Sequence, residues 1–434
     1  HNKENKMEIL KIKLDGFKNI FETEIEFSNI TALLSLNNYG KSNLIEGIKF
    51  ALTYINVPNK IKTSYMKHIP LIPINKSTAD KNFFFEIELK NIINNTEYFI
   101  NYDFSFEWYK TDKSGNRIIS ENLKIKDKIN DKFTTYIKRD SDNIGYYKTS
   151  ETGRADKEIK TERDELIINK LIHFDLYYLD KIKDLNNLRF DPLTFYDPTD
   201  SFNFFPFEIE NNEKFILDKN YGSNISRIIY ELKADEDTKD KYELLINSFL
   251  SLFPNLKSVE PISKEFKPEK IVTNEKIPFK IMDKIYALYV QDDTINQPIN
   301  FSSLSTGTKR IFLFLTEALL ADKHKIPLIS FEELENCVHP YLLQKILILL
   351  KEIAPECRLL ITSHSPYLIK YLGFDNIYIG IPSEKGYAQF KKIKKIKQKS
   401  IMKSAEQQGE SIGDFIFDKL VECYENPELV EELF

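Results

Sequence analysis

Alternating and continuous runs of apolar residues mark the start of the chain as strands that lead into a helix. Residues 8–14 read EILKIKL, and residues 25–34 hold a second run that ends in ITALL. This pattern predicts paired strands leading to a buried one. The polar stretch SLNNYGKSN follows, and from Ser42 apolar residues recur at helical spacing. The predicted order is therefore strand, polar loop, helix.

The middle of the chain has a different pattern. Residues 83–89 and 98–108 read as strands with a turn at 94–97, which predicts an antiparallel lobe. Residues 157–171 and 224–252 predict helices within a charged stretch. The sequence contains no internal repeat or long heptad array, so we expect an insertion or lid domain and not a coiled-coil arm.

Strands and helices alternate in the last third of the chain. An apolar helix pattern at 311–320 follows FSSLSTGTKR; then come the strand PLISF, a helix at 341–353, and the strands RLLITS and NIYIG. This order is typical of an α/β core with helices on its sheet. We expect four segments, which are 1–110 and 265–390 as the two parts of one α/β domain, 111–264 as a mixed or helical insertion, and 391–434 as a tail.

Composition limits the class of protein. The chain has 434 residues, of which 42% are hydrophobic, which is enough to bury a sizeable core. No apolar run approaches the roughly 18 residues that a membrane span needs. The opening is polar and highly charged, so we expect no secretory signal there. We therefore expect a soluble, cytoplasmic protein without a membrane partner.

Cysteine spacing and net charge bear on further kinds of site. The cysteines Cys337, Cys357 and Cys423 have no CxxC spacing, so neither a disulfide framework nor a zinc site is supported. A formal net charge of −5 gives no overall footprint for nucleic acid. Nucleic-acid binding would have to come from a local basic patch.

The clearest candidate chemistry is Gly40-Lys41-Ser42, between the predicted strand and helix. In a phosphate-binding loop the backbone amides hold the phosphates, Lys41 reaches the β/γ oxygens and Ser42 coordinates magnesium. The usual GxxxxGK[ST] pattern would have Gly where Ser35 stands, so a residue with a Cβ must make the entry turn. An ordinary glycine-containing turn is the alternative.

A second candidate is the acidic pair at the end of an apolar strand in IPLISFEELENCVHP. Glu332 is placed to bind magnesium, and Glu333 to orient or deprotonate the attacking water. The magnesium position usually holds Asp, and Glu332 is one methylene longer. The alternative is a solvated acidic helix cap ahead of His339-Pro340.

Two weaker signals complete the set. In LSTGTKR, Ser305 and Gly307 would stand at a helix N-terminus that suits the γ-phosphate of a nucleotide bound to another subunit. In ITSHSP, His364 follows an apolar strand and could bond the γ-phosphate or its water, although a polar loop residue is the plainer interpretation. The order and spacing of the four signals favour a nucleotide site.

Together these motifs resemble the ABC-type AAA family ATPases, a group that includes RecF, the SMC heads and the OLD nucleases. GFKNI at 16–20 is similar to the opening strand of such heads, NNYGKSNLIE to Walker A and LSTGTKR to the signature. FEELENCVHP is similar to Walker B with the D-loop, and ITSHSP to the His switch. The resemblance covers roughly 7–110 and 265–380 and extends weakly into the insertion.

The resemblance implies an ABC ATPase head with a P-loop core sheet, an antiparallel β lobe and an inserted domain. It implies that ATP and Mg²⁺ are held by the run Asn37, Asn38, Tyr39, Gly40, Lys41, Ser42 and Asn43. It further implies that Ser305 and Gly307 complete the site of a partner copy, so that active heads form a homodimer or a higher homo-oligomer. Such heads usually carry a Gln between Walker A and the signature, yet this chain has none before Gln291.

The expected biological role is that of an ATPase subunit in a bacterial anti-phage defence system, similar to those of PARIS or Septu, acting with a separately encoded effector. Downstream of His364 the sequence holds no DxD or other acidic cluster on strands, so we expect no OLD-type nuclease activity. The alternative is a RecF- or SMC-like DNA-repair or chromosome-maintenance ATPase, with the basic run at 391–403 as its DNA contact. That run is also typical of a solvated strand and linker.

Overall fold

The computed structural model divides the chain into two compact units. One holds residues 1–193, 324–334 and 355–434, and the other holds residues 194–323 and 335–354. The residues that the structure describes are 6–36, 39–76, 78–110, 112, 114–129, 131–141, 143–188, 190–193, 202, 207–209, 225–265, 279–281, 284–336, 338–365, 367–381, 383, 385–426, 429–430 and 434.

The first unit contains an eight-stranded antiparallel sheet in the order β2-β1-β4-β5-β6-β7-β8-β9. Its strands are β1 (Lys6–Asp15), β2 (Thr23–Glu26), β4 (Phe83–Ile93), β5 (Thr96–Glu107), β6 (Arg117–Lys126), β7 (Thr134–Ser141), β8 (Ile144–Lys148) and β9 (Ala155–Lys160). Buried and part-exposed residues alternate along β4, so one face packs on the core. Asn94 and Asn95 both take positive φ in the β4–β5 hairpin, as the tightest hairpin turns require.

The same unit contains a six-stranded core sheet in the order β10-β16-β17-β3-β18-β19. Its strands are β3 (Ile30–Leu34), β10 (Phe190–Leu193), β16 (Leu328–Glu332), β17 (Arg358–Ser363), β18 (Ile377–Ile381) and β19 (Gln389–Lys391). The first five strands in this order run parallel to one another, and β19 pairs antiparallel with β18. All five residues of β3 are buried, as expected for a parallel strand that is covered on both faces.

The first unit also contains helices. They are α1 (Lys41–Asn56), α2 (Asn59–Met66), α3 (Ile167–Leu171), α4 (Leu179–Ile182), α9 (Tyr367–Leu372), α10 (Lys395–Gln408) and α11 (Ile412–Glu425), with 3-10 turns at Ile69–Leu71, Lys183–Asn187 and Phe374–Asn376. α1 buries the face that carries Leu44, Ile48 and Leu52. It ends where Val57 becomes extended before Pro58, because a residue that precedes proline disfavours the helical region.

The second unit combines helices with small antiparallel sheets. Its elements are β11 (Phe207–Ile209), α5 (Ile225–Ala234), α6 (Lys239–Leu252), β12 (Leu256–Glu265), β13 (Phe279–Ile281), β14 (Lys284–Asp292), β15 (Ile299–Asn300), a 3-10 turn at Phe301–Ser303, α7 (Thr306–Lys323) and α8 (Pro340–Ile353). Phe249, Phe301 and Phe312 meet in its core at ring-centroid distances of 4.7 to 5.7 Å. These aromatic contacts join α6 to α7.

Most of the predicted elements are confirmed, and so is the α/β fold class with its core sheet and antiparallel lobe. The helix predicted at 157–171 is wrong over its first part, because residues up to Lys160 form β9 and pair with β8; only Ile167–Leu171 is helical. Cross-strand pairing overrides the local preference there. The limits of the four sequence segments stay a prediction, although the eight-stranded sheet continues past residue 110. Among the described helices, none is long and apolar enough to cross a membrane.

Candidate functional site

Three neighbouring parallel strands end at the same edge of the core sheet. β17 lies between β3 and β16, with Ser363 beside Leu34 and Thr362 beside Glu332. The chain leaves these strands at Ser35, Glu333 and His364. The carboxyl ends of parallel strands form the usual crevice for ligands in such sheets. Residues that are far apart in the sequence therefore converge there.

An open cavity of about 1140 Å³ lies at this edge. The predicted residues that line it are Tyr39, Gly40, Lys41, Ser42, Asn43, Glu332, Glu333 and His364. Asn37 and Asn38, which were also predicted, lie outside the described residues. The side chain of Asn43 donates to Asn19 Oδ1 at 2.8 Å, which ties the start of α1 to the turn after β1.

Gly40 makes the sharp turn into α1. Its φ of 109° lies in the left-handed region that favours glycine. A Cβ at this position would stand 2.7 Å from the Cβ of Ala388 and 3.2 Å from Oδ1 of Asn19. The turn therefore excludes a side chain, and the helix N-terminus faces the cavity.

The Lys41 ammonium lies inside the loop and is surrounded by acceptors. Its Nζ donates to the Ser35 carbonyl at 3.0 Å, to Ser35 Oγ at 3.1 Å and to the Leu36 carbonyl at 3.3 Å. His364 Nδ1 lies 3.1 Å from the same Nζ. The residue is only 7% exposed, which is rare for a lysine that is not held by such partners.

His364 Nδ1 has two neighbours that require opposite roles. It lies 2.8 Å from the Ser35 carbonyl, to which a protonated Nδ1 donates, and it accepts from Lys41 only when it is unprotonated. The other ring nitrogen, Nε2, lies 3.6 Å from Oε1 of Glu333. The tautomer thus decides whether the ring bonds Ser35 or Lys41.

Ser42 and Glu332 supply oxygen ligands from two elements. Ser42 Oγ donates to Glu332 Oε2 at 3.5 Å. Burial, followed by the adjacent Glu333 carboxylate, raises the pKa of Glu332, and the hydrogen bond from Ser42 and the positive charge of Lys41 oppose this. A hydroxyl and a carboxylate fit Mg²⁺, which usually takes one or two carboxylates, substrate phosphates and water.

Glu333 has a backbone conformation that costs energy. Its φ is 51°, in the left-handed region, while its N–H donates to the Thr362 carbonyl at 2.9 Å. Such conformations cost about 1–3 kcal/mol and persist where the surroundings impose them.

The Ser35 position is accommodated by a glycine on a neighbouring strand. Ser35 is not among the described residues with positive φ, so its Cβ causes no backbone strain of that kind. A Cβ on Gly380 of β18 would lie 2.7 Å from the Ser35 Cβ and 2.6 Å from Tyr39 Cδ1. The missing side chain at Gly380 therefore leaves room for both residues. NIYIG is strand-like in sequence and gave no sign of this role.

The sequence analysis did not predict the apolar wall that lines the same cavity. Ile69, Pro70, Ile72 and Ile74 line it, and Ile69 and Ile74 are 73% and 83% exposed. The Lys18 N–H donates to the Leu71 carbonyl at 3.0 Å, which anchors this segment. The apolar run IPLIPI within a polar stretch is the sequence feature that could have indicated this wall. Large exposed apolar side chains in a cavity are typical of ligand contacts.

The signature residues lie in the second unit. Ser305 Oγ accepts from the Thr308 N–H at 3.2 Å and so caps α7, while Gly307 belongs to the first turn of that helix. Ser305 and Thr306 are exposed. The N-terminus of an 18-residue helix is thus open to solvent within its own unit.

A family model described as "AAA domain, putative AbiEii toxin, Type IV TA system" matches residues 31–370. Among solved structures, an SMC head bound to the C-winged helix domain of ScpA is 16% identical, with 91% of this chain and 99% of that chain covered and a TM-score of 0.48. An SMC head domain from Thermotoga maritima is 12% identical, with 89% and 99% covered and a TM-score of 0.41. RecF with ATPrS is 15% identical, with 90% and 100% covered and a TM-score of 0.38. No curated protein matches the chain.

Proposed function

The chain belongs to this AAA domain family, and from that premise we propose that it binds ATP with Mg²⁺ in the cavity around Lys41 and hydrolyses the γ-phosphate. The observation that carries the proposal is the convergence of Lys41, Ser42, Glu332, Glu333 and His364 on one cavity. These residues come from one helix start and two strand ends. An ordinary glycine turn or a helix cap would not require them to meet.

Each residue has a role in this proposal. Gly40 and the first turn of α1 direct backbone N–H groups at the phosphates, and Lys41 supplies a cation. Ser42 and Glu332 would hold Mg²⁺, which supplies charge neutralisation for the phosphate oxygens. Glu333 orients or deprotonates the attacking water. His364, whose Nε2 is 3.6 Å from Glu333, bonds that water or the γ-phosphate.

The apolar wall supports a nucleotide as the ligand in preference to a bare phosphate. Ile69 and Ile74 expose large apolar surfaces to the same cavity that holds Lys41. A nucleobase would cover such surfaces, whereas inorganic phosphate would leave them in water. The direct test is phosphate release from ATP by the purified chain, with Mg²⁺ and with a chelator. Release that is independent of Mg²⁺ and of Lys41 contradicts the proposal.

Hydrolysis is proposed to require a pair of heads. The exposed N-terminus of α7, with Ser305 and Gly307, suits the γ-phosphate of a nucleotide held by another copy. The active form is accordingly a homodimer or a higher homo-oligomer. Concentration dependence of the turnover per chain tests this, since a composite site becomes more active as copies associate.

In the cell the proposed role is that of an anti-phage defence ATPase acting with a separately encoded effector. The family description, with its toxin and Type IV TA system, is compatible with this role. The chain alone is proposed not to cut nucleic acid, because the paired carboxylates Glu332 and Glu333 serve the nucleotide cavity. Incubation with plasmid, linear DNA and RNA, with and without the product of the adjacent gene, tests both parts. Cleavage by the chain alone that survives Lys41→Ala contradicts them.

A second candidate function is a DNA-repair or chromosome-maintenance ATPase. The observation that favours it is a row of exposed lysines from the end of β19 into α10, namely Lys391, Lys394, Lys395, Lys399 and Lys403. Lys392 differs, because it bonds Glu26 at 3.1 Å. DNA stimulation of the ATPase that is lost when the exposed lysines are neutralised favours this candidate.

A further inference from the structure

Ser35 contributes two of the acceptors that surround the Lys41 ammonium. Its carbonyl accepts at 3.0 Å and its hydroxyl at 3.1 Å, and the Leu36 carbonyl follows at 3.3 Å. An ammonium has three N–H donors. These three acceptors equal the number of N–H donors on Lys41, and an unprotonated His364 Nδ1 adds a fourth acceptor.

A phosphate oxygen can bond Lys41 only if one of these acceptors gives up its hydrogen bond. The two carbonyls belong to the backbone of a loop that follows a fully buried strand, so moving them means moving the loop. The Ser35 hydroxyl can leave by rotation about a single side-chain bond. It also has another partner, since Oγ donates to the Leu36 carbonyl at 3.1 Å. The hydroxyl is the acceptor that a phosphate displaces most readily.

The position of Ser35 is built into the fold. The residue is only 2% exposed, and its Cβ lies where Gly380 leaves space. Packing therefore fixes the position of the Ser35 Cβ, from which the hydroxyl reaches Lys41.

We propose that Ser35 is a positioning residue that competes with the nucleotide phosphates for Lys41, so that this loop binds nucleotide more weakly than the same loop without the hydroxyl. The inference rests on the proposed function. The hydroxyl occupies one Lys41 donor in the empty site, and binding releases it. Removal of a group that interacts with an essential cation should then strengthen ligand binding, which is opposite to the usual effect of losing a buried hydrogen bond.

The test is titration calorimetry with ATP and Mg²⁺ on the full chain. Ser35→Ala keeps the Cβ and removes the hydroxyl, and we expect its Kd for ATP to be about tenfold lower than that of the wild type. The matched control is Ser330→Ala, because Ser330 is a buried serine on β16 whose Oγ has no hydrogen-bond partner among the described residues. We expect Ser330→Ala to leave the Kd unchanged.

The Kd values of the variants test competition by Ser35 separately from ATP binding at Lys41. An equal or higher Kd for Ser35→Ala, in a variant that melts at the wild-type temperature, overturns the inference. If Ser35→Ala does not fold, Ser35→Gly decides in the same way, because it also lacks the hydroxyl. Wild-type binding that is lost in Lys41→Ala supports the proposed function even when Ser35→Ala shows no gain. Absence of ATP binding by the wild type overturns both.

Discussion

Nε2 of His364 lies 3.6 Å from Oε1 of Glu333, at the ends of two adjacent parallel strands. Nδ1 of the same ring reaches the Ser35 carbonyl at 2.8 Å, so one imidazole connects the acidic strand end to the loop that precedes α1. A displacement of Glu333 or of Ser35 can therefore be transmitted to the other residue through the ring.

Lys41→Ala should abolish tight ATP binding, because it removes the cation that the loop supplies to the β/γ-phosphates. Calorimetry with ATP and Mg²⁺ measures the effect. Because Lys41 is buried and has several partners, the melting temperature of the variant must be measured as well. A folded Lys41→Ala chain with wild-type affinity would show that the nucleotide site is elsewhere.

Glu333→Gln should keep ATP binding but slow hydrolysis by about 10² or more, the scale typical of losing a catalytic base. Glu332→Gln should instead raise the Mg²⁺ concentration needed for half-maximal activity, because Glu332 would be a ligand of the ion beside Ser42. Single-turnover hydrolysis across a Mg²⁺ series distinguishes the two. Equal and small effects would identify the acidic pair as a structural cap.

Ser305→Arg should block association of the heads, because a bulky cation would occupy the helix N-terminus that receives the partner's phosphate. ATP binding to a single chain should persist. Light scattering on Glu333→Gln, with and without ATP and with Ser305→Arg added, measures the assembly. Ser305→Thr is the matched control, since threonine keeps the hydroxyl that caps α7. An assembly that is ATP-dependent and insensitive to Ser305→Arg argues against a composite site.

Gly380→Ala should weaken ATP binding by about tenfold or more, because the added Cβ would stand 2.6 Å from Tyr39 and 2.7 Å from Ser35 and push the loop out of place. The second substitution Ser35→Gly should restore part of the affinity by removing one of the two contacts. Gly373→Ala is a control for an added methyl group, since its Cβ meets nothing within 4 Å; its φ of +75° strains an alanine, whereas Gly380 has no such positive φ. If the effects of the two substitutions on the Kd for ATP are fully additive, Gly380 does not act through its contact with Ser35.

The double variant Ile69→Ser/Ile74→Ser should raise the Kd for ATP by about tenfold, because the nucleobase loses apolar contact. The Kd for inorganic tripolyphosphate should stay the same, since that ligand does not reach the apolar wall. Calorimetry with both ligands measures the difference. Ile129→Ser serves as the control, because Ile129 is 68% exposed and does not line the cavity. Equal losses for both ligands would mean that the segment supports the loop and not the base.

Much of the site was predictable because its residues follow local rules. The buried run ITALL and the helical spacing after Ser42 fix the strand, the loop and the helix around Lys41. PLISF and RLLITS are continuous apolar runs typical of parallel strands, so Glu332 and His364 were expected at strand ends. The turn predicted at 94–97 is also present, although it is shorter, with Asn94 and Asn95 at positive φ and β5 beginning at Thr96.

Local sequence patterns therefore specify which elements form and which residue types stand at their ends. Long-range contacts in the folded chain account for β9 in place of the first part of a predicted helix, for the space that Gly380 leaves to Ser35, and for the positive φ of Glu333. It also brought Ile69 and Ile74 to the cavity. The reason is that a side-chain pattern reports how one segment partitions between water and core, whereas strand pairing, close approach and a shared cavity depend on partners that lie far away along the chain.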